Sequence, residues 1–181
     1  MILSKQNLKY LKNKNIDIPD EALFNQPVKI LQFGAGALLR GLPDYFVDKA
    51  NRKGIFNGRI VVVKSTNFGN SEAFNQQDGL YTLVMKGIDN GQNIEEIIVC
   101  SAISHILSAT ENWGEILKEV LNPELKIIIS NTTEVGIQFV EEYIQKSPPI
   151  SFPAKLLAIL YERYKAFGGS NESGFVLYQQ N

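Results

Sequence analysis

"VKILQFGAGALLRGLPDYFVDKANRKG", Val28 to Gly54, is the stretch on which the fold turns. Val28–Phe33 is a short apolar, β-branched run, the pattern of a buried strand. Gly34-Ala35-Gly36 follows at once. From Leu38 to Lys53 the apolar residues Leu38, Leu42, Tyr45, Phe46 and Ala50 recur at helical spacing, and Gly54 ends the run. A strand, a glycine turn and a helix in that order can form an anion site. Gly34 makes the tight turn, and Gly36 lets the backbone come close to a pyrophosphate at the helix start. The third glycine of the usual pattern is replaced by Leu39, and the next glycine is Gly41. On spacing alone two readings stay open: a turn that cradles phosphate, or a plain strand–helix connection.

Beyond this unit, Arg59–Thr66 ("RIVVVKST") and Leu125–Ser130 ("LKIIIS") read as two more buried strands. "LYTLVMKG" and "IEEIIVCSAI" flank "IDNGQN", and Asn-Gly between β-rich runs predicts a hairpin. "SATE" (Ser108–Glu111) has capping-box spacing and predicts a helix through about Leu121. "NTTE" (Asn131–Glu134) predicts a helix through about Gln145. Pro153 is placed to be the first residue of the helix "PAKLLAILYERYKAF", which Gly168 and Gly169 end, and "GFVLY" reads as a last strand. The order is β-α-β, a hairpin excursion, then α-β-α-α-β. Strands separated by helices make a mainly parallel α/β sheet covered on both faces. Residues 1–27 are polar and mixed and read as an N-terminal arm, with residues 28–181 as the domain.

The bulk numbers narrow the function classes. Hydrophobic residues make up 44% and charged residues 20%, enough to build a core. The net charge of −1, with no basic patch, argues against nucleic acid and anionic membranes as partners. One cysteine, Cys100, and one histidine, His105, rule out an internal disulfide, a cysteine-cluster zinc site and the His-rich metal motifs. No stretch has the length of a membrane span or the apolar core of a signal peptide, so the expected address is cytoplasmic.

The ends of the second and third strands test the glycine turn. A carboxylate usually ends the second strand and bonds the adenosine ribose. Here Lys64-Ser65-Thr66-Asn67 stands instead. A lysine there suits a 2′-phosphate, whereas Ser65, Thr66 and Asn67 suit neutral ribose hydroxyls; both remain open. Asn131 and Thr133, after the third strand, would lie beside the nicotinamide-side ribose. Asn131 with Glu134 also has the spacing of an ordinary reciprocal cap.

Together, "LQFGAGALLRGLPDYFVDKAN", "IVVVKSTNFG", "QQDGLYTLVMKG", "IIISNTTEVGI" and "FPAKLLAILYERYKAF" resemble, in order and spacing, the N-terminal half of the mannitol dehydrogenase family of long-chain polyol dehydrogenases. Within it they look most like the branch that interconverts D-altronate and D-tagaturonate with NAD in hexuronate breakdown. The resemblance covers about Val28 to Phe167. It implies a Rossmann-like, doubly wound sheet with an inserted hairpin, and an NAD site built from Phe33, Gly34, Ala35, Gly36, Ala37, Leu38, Arg40, Ser65, Thr66, Asn67 and Asn131–Glu134. Family members carry Gly-x-Gly, then a basic and a small residue, matched here by Gly34, Gly36, Arg40 and Gly41. Arg40 can pair with cofactor phosphate, or with Asp44 one helical turn on. The family's chemistry rests on a Lys-x(4)-Asn-x(2)-His motif in a second, mostly helical domain. That motif does not occur here: Lys155 is followed by "LLAILYER", and His105 lies upstream in "ISHILS".

The resemblance therefore implies the cofactor half of an oxidoreductase, inactive alone, with no catalytic residue of its own. A sugar-acid substrate is expected only with the helical domain. A nucleotide-binding remnant without turnover, or a scaffold with an empty turn, is the alternative. The helix with Leu156, Leu157, Ile159, Leu160, Tyr161 and Tyr164 carries more than one apolar stripe, which predicts self-association through the face where the second domain docks.

Overall fold

The computed structural model describes residues 2–12, 15–64, 71–138, 140–141, 147–168 and 176–180. The elements are β1 (Val28–Phe33), α1 (Ala37–Gly41), α2 (Pro43–Arg52), β2 (Arg59–Lys64), α3 (Ser71–Gln76), β3 (Tyr81–Asp89), β4 (Gln92–Cys100), β5 (Ile103–Ser108), α4 (Trp113–Val120), β6 (Ile127–Asn131), α5 (Phe152–Phe167) and β7 (Val176–Gln180). Five strands form a parallel sheet in the order β5-β2-β1-β6-β7. Counted by their order in this sheet, that is 3-2-1-4-5, the doubly wound arrangement.

Alternation along β1 divides the two layers. Leu31 and Phe33 point to one face, where they join Val61, Val63, Ile128, Trp113, Ile116 and Ile159 beneath α4 and α5. Ile30 points to the other, with Ile60, Val62, Ile103 and Ile106 beneath α2 and α3, through Val47 and Phe74. On that second face an open apolar groove of about 670 Å³ runs between α2 and β6, lined by Phe46, Ile55, Ile127 and Ile129 among others.

The hairpin forms as its Asn-Gly predicts. Asn90 and Gly91 take φ of 49° and 77°, the left-handed pair of a type I′ turn, and Asp89 pairs with Gln92. β3 and β4 stay outside the main sheet and pack on α2 through Tyr45, Ile98 and Cys100. The arm lies against the hairpin, with Leu8, Leu80 and Val99 in one cluster. Arg52 ties the three parts together. It bonds Asp48 at 2.6 Å, Asp17 of the arm at 2.8 Å and the Val99 carbonyl at 2.8 Å.

Several expectations need correction. The helix expected over Leu38–Lys53 is two helices, broken at Leu42, whose φ, ψ of −118°, −85° leave the helical region before Pro43. "IEEIIVCSAI" is not one strand. It ends at Cys100, and Ile103–Ser108 is a separate parallel strand, β5, that the sequence reading lacked. The break falls where buried Asp48 accepts bonds from the Ser101 N–H at 2.6 Å and hydroxyl at 2.9 Å. "SATE" does not cap a helix. Ser108 ends β5, and α4 starts at Trp113 after Asn112, whose Oδ1 accepts from the Ser108 N–H. "NTTE" opens only a 3-10 turn, Glu134–Ile137, with Thr133 rather than Asn131 as its cap. Gln138 is already extended, and part of the helix expected through Gln145 lies outside the described residues. α5 starts one residue before Pro153, capped by Ser151. Gly168, at φ 61°, ends it in the left-handed conformation.

Candidate functional site

β1 and β6 are neighbours in the sheet, and the chain leaves them toward opposite faces. After β1 it runs to α1 and α2; after β6 it runs to α5. Their carboxyl ends therefore bound a crevice, the place where doubly wound sheets take ligands. The crevice is a cleft of about 600 Å³, within the range of small-molecule sites. Phe33, Gly34, Ala35 and Gly36 form one wall. Asn131, Thr132, Thr133, Val135, Gly136 and Gln138 form the opposite one, and Lys64 reaches it from the end of β2. Ser151 and Phe152, at the start of α5, close one end, where Phe152 meets Phe33 edge to face at 5.1 Å.

The two glycines of the turn do different work. Gly34 takes φ +109°, and a Cβ on it would sit 3.2 Å from Leu39 Cδ1. Leu39, where a third glycine was expected, is buried, packed over the bare backbone of Gly34. Helix and strand thus stay close because the bulk has moved from one to the other. Gly36, the N-cap of α1, has φ −67° and ψ 164°, and no side chain caps the helix start. A Cβ there would meet nothing within 4 Å.

Behind the turn lies a buried polar layer. Gln32 Nε2 donates to the Gly34 carbonyl at 3.2 Å and to Asp44 Oδ2 at 3.3 Å. Arg40 folds back, and its Nη1 donates to the Ala35 carbonyl. No ion pair with Asp44 forms among the described residues; the guanidinium acts on that carboxylate only at longer range. Tyr81 donates its hydroxyl proton to the Arg40 carbonyl at 2.8 Å. Burial pushes the Asp44 carboxyl up to about 7, against the smaller opposing pulls of Gln32 and Arg40.

The cleft thus brings together Phe33, Gly34, Ala35, Gly36, Lys64, Asn131, Thr132 and Thr133 of the residues singled out from sequence. Ala37 and Leu38 open α1 beside it without lining it, and Leu38 is exposed. Glu134 begins the 3-10 turn. Ser65, Thr66 and Asn67 lie outside the described residues. Sequence reasoning missed Val135, Gly136, Gln138, Val140, Ser151 and Phe152. Ser151 had a usable signal, a serine two residues before a proline that opens a helix. His105 sits on β5 away from the cleft, 3.9 Å from Glu119, and burial lowers its pKa. Cys100 is buried, and its thiol is pushed up to about 12. Among the described residues no cluster of His, Cys, Asp and Glu fits a metal ion, and no helix is long and apolar enough to cross a membrane.

The family model for the mannitol dehydrogenase Rossmann domain matches residues 28–178. The chain belongs to the mannitol dehydrogenase family. Among relatives in the family, the altronate oxidoreductase of Bacillus subtilis is 41% identical over 83% of this chain and 32% of its own length. That of Halalkalibacterium halodurans is 37% identical over 83% of this chain and 30% of its own. The chain therefore spans about a third of the length of these relatives. The fold is shared with Pseudomonas fluorescens mannitol 2-dehydrogenase, solved as a ternary complex with NAD and D-mannitol. That likeness has a TM-score of 0.81 and 24% identity, and covers 99% of this chain and 38% of the other. A D-sorbitol dehydrogenase in substrate-free form superposes with a TM-score of 0.78.

Proposed function

We propose that the chain binds NAD(H) in the cleft between β1 and β6, as the dinucleotide half of an oxidoreductase that interconverts D-altronate and D-tagaturonate. The observation that carries the reading is the open approach to Gly36 at the switch point of the sheet. It is supported by relatives named altronate oxidoreductase and by a structural neighbour that holds NAD. Residues 28–181 serve as the binding domain and residues 1–27 as an arm braced on the hairpin.

The residues present fit a dinucleotide. The backbone of Phe33–Gly36 and the start of α1, at Ala37 and Leu38, take the pyrophosphate side. Arg40 braces that turn through the Ala35 carbonyl and adds positive charge behind it. Lys64, with Ser65, Thr66 and Asn67, takes the adenosine ribose. Asn131, Thr132, Thr133 and Glu134 take the nicotinamide-side ribose. The cofactor supplies hydride transfer. This chain's residues bind and orient it, and the group that handles the proton on the substrate oxygen comes from the helical domain. Alone, the chain binds without turnover.

Titration calorimetry with NADH and with NADPH tests the assignment. Saturable NADH binding, tighter than NADPH binding, is the expected outcome. Tighter NADPH binding would make Lys64 a reader of the 2′-phosphate, and no binding of either would leave the turn empty.

Self-association of the isolated chain is a second expectation. On α5, Ile159 is buried and Leu156 and Leu160 pack on the core, while Leu157, Tyr161 and Tyr164 stay exposed. Sedimentation velocity should show reversible association that weakens in Leu157→Lys/Tyr164→Lys. A clean monomer at high concentration would count against it.

A further inference from the structure

Gln32 and Asp44 are both fully buried, directly beneath the glycine turn. The Gln32 amide is oriented by two acceptors, the Gly34 carbonyl and Asp44 Oδ2, which together take both Nε2 protons. One oxygen on each group, Gln32 Oε1 and Asp44 Oδ1, then has no partner among the described residues. Both are acceptors when the carboxyl is ionised, and leaving both bare in a buried site is costly. A single proton on Asp44 Oδ1, donated to Gln32 Oε1, would satisfy both atoms and close a ring with the Gln32 Nε2–Asp44 Oδ2 bond.

We propose that Asp44 is a positioning residue, held as a neutral acid in a two-hydrogen-bond ring with Gln32, and that this ring fixes the glycine turn for the dinucleotide. The ring transmits to the turn through the Gln32–Gly34 bond. The inference rests on the cleft being the dinucleotide site. The neighbouring groups leave the acid to Gln32. Arg40 of α1 is spent on the Ala35 carbonyl, and Tyr81 of β3 donates to the Arg40 carbonyl. Asp48 of α2 is satisfied by Ser101 and Arg52, and Cys100 of β4 is a neutral thiol.

Burial raises Asp44 from 3.8 to about 7, so the folded chain holds a proton that the unfolded chain has released. Stability from this group is complete below about pH 4, falls as pH rises to about 7, and is flat beyond. Above pH 7 the same titration puts a negative charge behind the turn that faces pyrophosphate.

The test compares the 181-residue chain with Asp44→Asn and Asp44→Ala. Asparagine is a neutral isostere whose Nδ2 donates to Gln32 Oε1 while its Oδ1 accepts from Gln32 Nε2, so the ring survives without a titrating proton. NADH affinity of the parent should weaken about tenfold from about pH 6 to about pH 8, as the protonated fraction falls. Asp44→Asn should bind as the parent does at pH 6 and stay flat, and Asp44→Ala should bind weakly at both. Equal pH profiles for parent and Asp44→Asn would overturn the proposal.

The carboxyl itself is read separately, by the ¹³C shift of Asp44 Cγ across the same range. A protonated signal at about pH 5.5 is expected, and an ionised one there would overturn the ring whatever the binding data show. If NADH binds at neither pH, the functional reading fails and the turn-fixing role with it. The ring is then judged on the ¹³C signal and on whether Asp44→Asn gains stability over the parent between about pH 4 and about pH 7.

Discussion

Gly36→Val should abolish NADH binding while leaving the fold intact. The backbone at Gly36, φ −67° and ψ 164°, is one that any residue adopts. A Cβ there meets no atom other than its chain neighbours within 4 Å, so the first carbon of a side chain is accommodated. Gly36 lines the cleft, so a branched side chain there takes up space where the pyrophosphate would have to touch backbone. A loss of about 100-fold or more, some 2.7 kcal/mol, is expected by calorimetry, with unchanged circular dichroism and at most the small drop in thermal midpoint that a valine N-cap brings. Gly34→Ala makes the contrast. At φ +109°, with Leu39 Cδ1 at 3.2 Å, alanine strains the backbone and presses on a buried side chain, so it should lower stability by about 1–3 kcal/mol. If Gly36→Val bound NADH as the parent does, the dinucleotide would not approach this turn.

Arg163→Met should be among the most destabilising single changes in the chain. Arg163 is 2% exposed, on the face of α5 that meets α4. Its guanidinium donates to the carbonyls of Val120 at 2.6 Å, Asn122 at 3.0 Å and Leu125 at 2.8 Å. These carbonyls finish α4 and lead the chain toward β6, so one side chain caps a helix and fastens α5 to it. Its carbon lies 4.6 Å from the centre of the Phe167 ring. Burial lowers its pKa, yet an arginine remains charged at any working pH. Methionine keeps much of the volume and none of the donors, which leaves buried carbonyls bare. A loss of about 3 kcal/mol or more in urea unfolding is expected, a large share of a domain's stability. A loss within about 0.5 kcal/mol would mean that water replaces the guanidinium at all three carbonyls.

Part of the fold and of the cleft was legible because its signals are local. The run into Gly34, the Asn-Gly of the hairpin and the Pro153 start of α5 each depend on a few adjacent residues, and the serine two places before Pro153 carried a signal of the same kind that sequence reasoning did not use. The split at Leu42 was legible too, since Pro43 restricts the residue before it, but the apolar spacing across the break masked it. β5 was not legible. Its apolar pattern continues that of β4, and nothing in "CSAIS" marks an end. The chain turns there where Asp48, 53 residues upstream, accepts from both the N–H and the hydroxyl of Ser101. "NTTE" misled for the reverse reason. The cap that forms is Thr133, accepting from Gly136, two residues past the expected Asn131, and the segment lines the cleft and turns extended at Gln138 after one 3-10 turn.

By itself, then, the sequence determined a parallel α/β chain with a glycine turn after its first strand, an inserted hairpin, and family membership through the spacing of those parts. Turn residues, caps and periodicity act over a few positions, and composition needs no coordinates. Only the tertiary structure decided that Leu39 fills the space over Gly34 and that α5 closes one end of the cleft. It also decided that Gln32 and Asp44 meet in the dark beneath the turn. Those outcomes depend on contacts between residues far apart in the chain, whose burial and partners exist only once the sheet has assembled.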